Sequence, residues 1–156
     1  MNPYLNFNGQ CEAAFTFYER CLGGQLGAIF RYAGSPLADQ VPADWQDKVM
    51  HGILTVGAQV LMGGDVAPDR YEEPKGFSLS LQIQSTTEAK RIFCELAKDG
   101  RVAVPLEKTF WAARFGVLVD RFGIPCLSQP LPRSGRVNVE GATCGSSPSE
   151  TMTALM

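Results

Sequence analysis

Residues 4–25, YLNFNGQCEAAFTFYERCLGGQ, are echoed by residues 80–101, SLQIQSTTEAKRIFCELAKDGR. A shift of 76 residues carries Leu5, Glu12, Ala13, Phe17 and Gly24 onto Leu81, Glu88, Ala89, Phe93 and Gly100, and the apolar pattern follows. A period this long corresponds to two copies of one supersecondary unit. In a pseudo-twofold fold of that kind the binding cleft is expected between the copies.

Residues 3–8 alternate Tyr4, Asn6 and Asn8 against Leu5 and Phe7, the period of a half-buried strand. After the Asn8-Gly9 turn, residues 10–22 carry Cys11, Ala14, Phe15, Tyr18 and Leu22 at helical spacing, and Gly23-Gly24 ends that helix. A strand over 25–32, a punctuated loop over 33–47 containing Trp45, and strands over 48–56 and 59–62 complete the first copy. Residues 63–76 link it to the second, which opens with the alternating strand 77–84. Thr86 or Thr87 is placed to cap the next helix, with Glu88 in its first turn, where a carboxylate favours the helix dipole. Lys98-Asp99-Gly100 closes it, and strands over 101–107, 112–119 and 124–127 follow, the last two joined by Asp120-Arg121-Phe122-Gly123.

Each half is therefore β-α-β-β-β, with raw sheet edges that make one half alone unstable. The expected fold is α+β. Two such repeats, 1–65 and 77–129, form a curved eight-stranded mixed sheet with helices on its outer face. Opposite the helices lie Tyr4, Asn6 and Asn8 on the first strand and Ser78, Ser80, Gln82 and Gln84 on the fifth. That face is polar enough to line a wet cavity. The Ser-, Thr-, Gly- and Pro-rich stretch 130–156 has no periodicity and reads as a disordered or loosely attached tail.

The bulk composition narrows the function classes. A net charge of −2 over 156 residues argues against nucleic acid, which asks for a basic stripe. No apolar run reaches the roughly 20 residues of a membrane span, and MNPYLNF has no secretory features. Five cysteines without CxxC spacing read as reduced, buried small hydrophobes, Cys11, Cys21 and Cys94 on helix faces. A cytoplasmic location is expected.

The NFNGxCxxAFxFYxxxLGG opening and the segment TFWAARFGVLVDRFGIP at 109–125, set in this duplicated topology, resemble the vicinal oxygen chelate superfamily and within it the PhnB-like branch. The matching residues include Gly9, Cys11, Phe17-Tyr18, Gly23-Gly24, His51, Met62-Gly63, Asp65, Phe115-Gly116, Asp120 and Phe122-Gly123. The resemblance implies a glyoxalase-like fold, a small-molecule partner and a homodimer. Its members include glyoxalases, dioxygenases, epimerases, thiol transferases and metal-free drug-binding proteins. Branch members are often labelled ubiquinone-pathway methyltransferases. This chain has no glycine-rich strand-to-helix turn of the kind Rossmann-like methyltransferases use. The chain departs from the family after Pro125, where Cys126-Leu127-Ser128-Gln129 replaces the usual WMxN.

Where the superfamily performs chemistry, it holds a divalent metal with His and Glu from strands one, four, five and eight. Those positions fall within two residues of Tyr4, Met62, Ser78 and Leu127, and none is His, Glu or Asp. Neutral oxygen donors such as Asn6, Ser80 and Gln129 compete poorly for a transition metal. No metal and no cofactor are expected. Asp65 and Asp69 read as loop-solvating turn formers.

The candidate ligand-binding set is Tyr4, Asn6, His51, Ser78, Ser80, Phe110 and Trp111. His51 is either a strand histidine bonded to a neighbour or a general base, the one catalytic candidate. Phe110 and Trp111 are either core or a gate, and Arg114 reads as a surface ion pair. The favoured function is metal-free binding of a small aromatic or amphipathic molecule. The alternative is a metal-dependent lyase, isomerase or dioxygenase with unrecognised ligands, and a third is a protein-association scaffold.

Overall fold

The computed structural model describes residues 2–83, 85–110, 112 and 114–130. Trp111 and the stretch 131–156, read above as gate or core and as tail, lie outside the described residues. The first half runs β1 (Tyr4–Phe7), α1 (Cys11–Leu22), β2 (Gln25–Arg31), β3 (Val49–Val56) and β4 (Gln59–Asp65). The second runs β5 (Leu79–Ile83), α2 (Thr86–Ala97), β6 (Arg101–Glu107), β7 (Phe115–Val119) and β8 (Pro125–Pro130). Two single-turn 3₁₀ segments, Ala38–Gln40 and Ala43–Trp45, shape the loop before β3.

The eight strands divide into two four-stranded mixed sheets with the same order, β1-β4-β3-β2 and β5-β8-β7-β6. In each, the first strand lies parallel to the fourth, and the fourth, third and second are antiparallel neighbours. Pairing across the ladders fixes what faces the helices. Leu5, Gly63 and Gly52 stand opposite one another in the first sheet, as Leu81, Ser128 and Gly116 do in the second. His51 and Phe115 therefore occupy equivalent places, as do Tyr4 and Ser80.

The helices obey a slightly different register. They begin at Cys11 and Thr86, one residue less apart than the matching strand positions. Ala14, Tyr18 and Cys21 are thus the inward counterparts of Ala89, Phe93 and Leu96, while Ala13 is exposed. The identity of Ala13 with Ala89 does not reflect a shared environment. The register is restored at the helix ends, where a Cβ on Gly24 would stand 2.9 Å from the Thr55 carbonyl oxygen and one on Gly100 2.5 Å from that of Val119. Only glycine admits both approaches.

α2 is capped by Ser85, whose hydroxyl accepts from the Glu88 N–H at 3.1 Å, rather than by Thr86 or Thr87. Ser85 is the residue three before Glu88, as a capping box requires. α1 has no side-chain cap of its own. Instead Asp65, at the end of β4, accepts from the Cys11 N–H at 2.8 Å and, through its other oxygen, from the Val49 N–H at 2.9 Å. Asp65 is buried, contrary to the solvated turn expected from sequence. Its ligands are backbone donors far along the chain, which turn propensity does not reveal.

One apolar cluster spans both halves, from Leu5, Phe7, Phe15, Tyr18 and Leu54 to Ile92, Phe93, Leu96, Leu118 and Ile124. Fully burying each such Phe, Leu or Ile contributes about 1.5–3 kcal/mol. α1 packs on α2, and Tyr18 donates a 2.5 Å hydrogen bond to Asp120 in the β7–β8 turn. Cys11, Cys21 and Cys126 are buried, but Cys94 is exposed because Ala89, Ile92, Phe93 and Leu96 define the inward stripe of α2. Among the described residues no helix is long and apolar enough to cross a membrane.

Candidate functional site

The sheet faces turned away from the helices carry the candidate residues. On the first sheet, Tyr4 of β1, Met62 of β4 and Ile53 of β3 share a face by register, as do His51 and Phe30 of β2. The rings form a short shelf. Tyr4 stacks on His51 at 5.7 Å between centroids and an interplanar angle of 23°, and Phe30 stacks on His51 at 6.3 Å and 27°. The Tyr4 hydroxyl lies 3.4 Å from His51 Nδ1 and the same distance from the Met50 carbonyl oxygen. Tyr4 is 46% exposed and Phe30 52%. Asn6 is exposed on the same face as Tyr4.

Ser80 is exposed on the corresponding face of the second sheet, and Ser78 is exposed just before β5. Phe110, in the bend after β6, is 97% exposed. The single chain thus distributes the candidates over two separate sheets, bringing together Tyr4 and His51. Phe30 is the member that sequence reading missed. Its only signal was an aromatic residue in a predicted strand, and the pairing of Phe30 with His51 depends on the register shift between Leu26 and Ile29.

His51 is half-buried, with a phenol rather than a carboxylate beside its Nδ1. A working general base is normally oriented by a third group; here the ring is positioned by stacking. The buried thiols are poor nucleophiles. Burial pushes Cys11 up to about 12 and Cys21 up to about 11, so both are protonated near neutrality. Arg114 donates to the Leu106 carbonyl at 3.4 Å, and among the described residues it has no acidic partner.

The metal chemistry of the superfamily does not fit the residues present. Among the described residues no three His, Cys, Asp or Glu side chains converge. The strand positions that would supply ligands pair Tyr4 with Met62 and Ser80 with Leu127. Asp65 is the nearest carboxylate along β4, and both its oxygens are held by backbone N–H groups on the helix side.

Two mixed sheets of β1-β4-β3-β2 order, each backed by one helix, define a glyoxalase-like protein. The family model described as Glyoxalase/Bleomycin resistance protein/Dioxygenase superfamily matches residues 1–126, and the chain belongs to that superfamily. Protein YjdN of Escherichia coli (strain K12) is 32% identical over 133 residues, covering 80% of this chain and 90% of that protein. The crystal structure of protein PA1353 from Pseudomonas aeruginosa is 46% identical, with a TM-score of 0.76 over 83% of this chain and 96% of that one. A Bacillus cereus structure described as a putative 3-demethylubiquinone-9 3-methyltransferase, PhnB protein, matches with a TM-score of 0.72 and 24% identity, over 84% of this chain and 98% of that one.

Proposed function

We propose that the chain binds a small aromatic or amphipathic molecule on the open face of the first sheet, without a metal, and that a second copy closes the site. The shelf of Tyr4, His51 and Phe30 carries this reading. Two half-exposed rings, Tyr4 and Phe30, each near-parallel to His51, suit a flat apolar ligand. The Tyr4 hydroxyl and His51 imidazole add polar handles at its edge. The donor set argues in the same direction, because it offers a transition metal one imidazole among neutral oxygens. Ser78, Ser80, Asn6 and Phe110 complete the proposed lining once two sheets face one another.

Titration with a neutral planar dye such as Nile red tests the site without recruiting charged surfaces. Saturable binding is expected, weakened about tenfold in Tyr4→Ala/His51→Ala together, since each ring contact is worth about 0.5–1.5 kcal/mol. Dye binding unchanged in the double variant overturns the assignment. Metal analysis of protein purified without added ions provides the second arm. Stoichiometric zinc, nickel or iron would replace this reading with the superfamily's enzymatic one.

A further inference from the structure

A groove on the helix side, far from the aromatic shelf in the topology, has a composition the open-face reading does not use. It encloses about 290 Å³ between α1 and α2, room for about ten waters at ~30 Å³ each. Phe17, Arg20 and Cys21 of α1 line one wall, and Arg91, Glu95 and Lys98 from α2 and its cap the other. Arg121, from the β7–β8 turn, closes the end. Four cations thus face one carboxylate, on a chain whose net charge is −2. The spacing explains the convergence, since residues three, four and seven apart share one helix face.

The four cations differ in how far they are committed. Arg91 donates to both Glu88 oxygens, at 2.6 Å and 3.0 Å, and to the Cys21 carbonyl at 2.8 Å. Arg121 lies 4.9 Å over the Phe17 ring, donates to the Lys98 carbonyl at 3.2 Å and pairs with Asp99 at 2.9 Å. Among the described residues the Lys98 ammonium is held by Glu95 alone, at 2.8 Å and 2.9 Å. Among the described residues the Arg20 side chain has no ion pair or hydrogen bond. Arg91 and Arg121 offset the negative C-terminal ends of the two helices. Arg20 is uncommitted, and Lys98 is exchangeable because exposed ion pairs contribute little.

From this division of labour we infer that the groove binds the phosphate group of a small phosphorylated molecule. Arg20 is its free guanidinium, Lys98 a recruited ammonium, and the Arg121–Phe17 pair the fixed wall. A guanidinium donates two parallel hydrogen bonds to a phosphate, which suits Arg20 better than a lysine there. The inference is independent of the open-face reading.

Calorimetric titration of the full chain at low ionic strength, with inorganic phosphate and with phenyl phosphate, tests it. Both probes are expected to saturate, phenyl phosphate more tightly through Phe17. Arg20→Gln should weaken each about tenfold, the size of one charge-assisted contact. Glu95→Gln should tighten both severalfold by freeing Lys98 and removing the competing carboxylate. Inorganic phosphate binding better than its ester would assign the groove to the free ion and overturn the ester reading. No saturable heat, indifference to Arg20→Gln, or weaker binding in Glu95→Gln overturns the site itself. Nile red binding unchanged in both variants separates failure here from failure of the aromatic shelf.

Discussion

Tyr18 and Asp120 are separated by most of the chain, yet the Tyr18 hydroxyl donates to Asp120 Oδ2 at 2.5 Å. The other carboxylate oxygen accepts from the N–H groups of Phe122 at 2.8 Å and Ile124 at 3.0 Å. One buried carboxylate therefore shapes the β7–β8 turn and ties it to α1. Tyr18→Phe leaves that carboxylate short of a donor and should cost about 1–3 kcal/mol in urea unfolding. Asp120 titrates above its ordinary value of 3.8 because burial outweighs its three donors. The folded state then holds the proton more tightly than the unfolded one. Stability contributed by Asp120 accordingly grows as pH falls through the raised folded-state value, and levels off below 3.8. The stability difference between the wild-type chain and Asp120→Asn should widen in favour of wild type over that interval. A difference that narrows on acidification would show that the donors, not burial, dominate. From sequence, Asp120 reads only as a turn residue, because its long-range partner is a phenol presented by a helix.

The elements were legible where a face alternates and obscure where the chain closes on itself. Leu5 against Tyr4 and Asn6, or Leu79 and Leu81 against Ser80 and Gln82, announce a strand and its buried side from local pattern alone. Helix starts were less readable, since Ser85 displaces the two threonines after it and Asp65 caps α1 from the far end of β4. Those two caps should differ in cost. Ser85→Ala removes one exposed local bond and should destabilise by about 1 kcal/mol. Asp65→Ala strands two N–H groups in the interior, and its cost should reach about 2–5 kcal/mol in denaturant melts. Equal losses would mean that water reaches Cys11 and Val49 once the carboxylate is gone. The aromatic shelf was half visible for the same reason. Tyr4 and His51 follow strand parity, whereas the place of Phe30 beside them requires the bulge in β2.

In the molecule as a whole, the two halves meet through α1, α2 and the apolar cluster that spans them. Tyr4, Phe30, Phe77, Val102, Val104 and Phe110 are all more than two-fifths exposed in the single chain. Contiguous exposed apolar surface is commonly covered by association. A second copy of the chain would supply cover, if a twofold axis set the first sheet of one protomer against the second sheet of its partner. A stable interface of this kind buries about 800 Å² on each side, within the reach of two four-stranded faces. Light scattering of the chain at micromolar concentration should therefore report a dimer. Phe110, 97% exposed and beyond the end of β6, would be available to a partner protomer. Phe110→Asp should weaken the dimer by about tenfold or more, as aromatic anchors do, with unchanged circular dichroism. Nile red affinity should fall with dissociation, because the shelf of Tyr4, His51 and Phe30 would lose its cover. A chain that stays monomeric while binding the dye with full affinity would mean that the shelf is complete in one protomer. The exposed Phe110 would then serve neither the site nor the assembly.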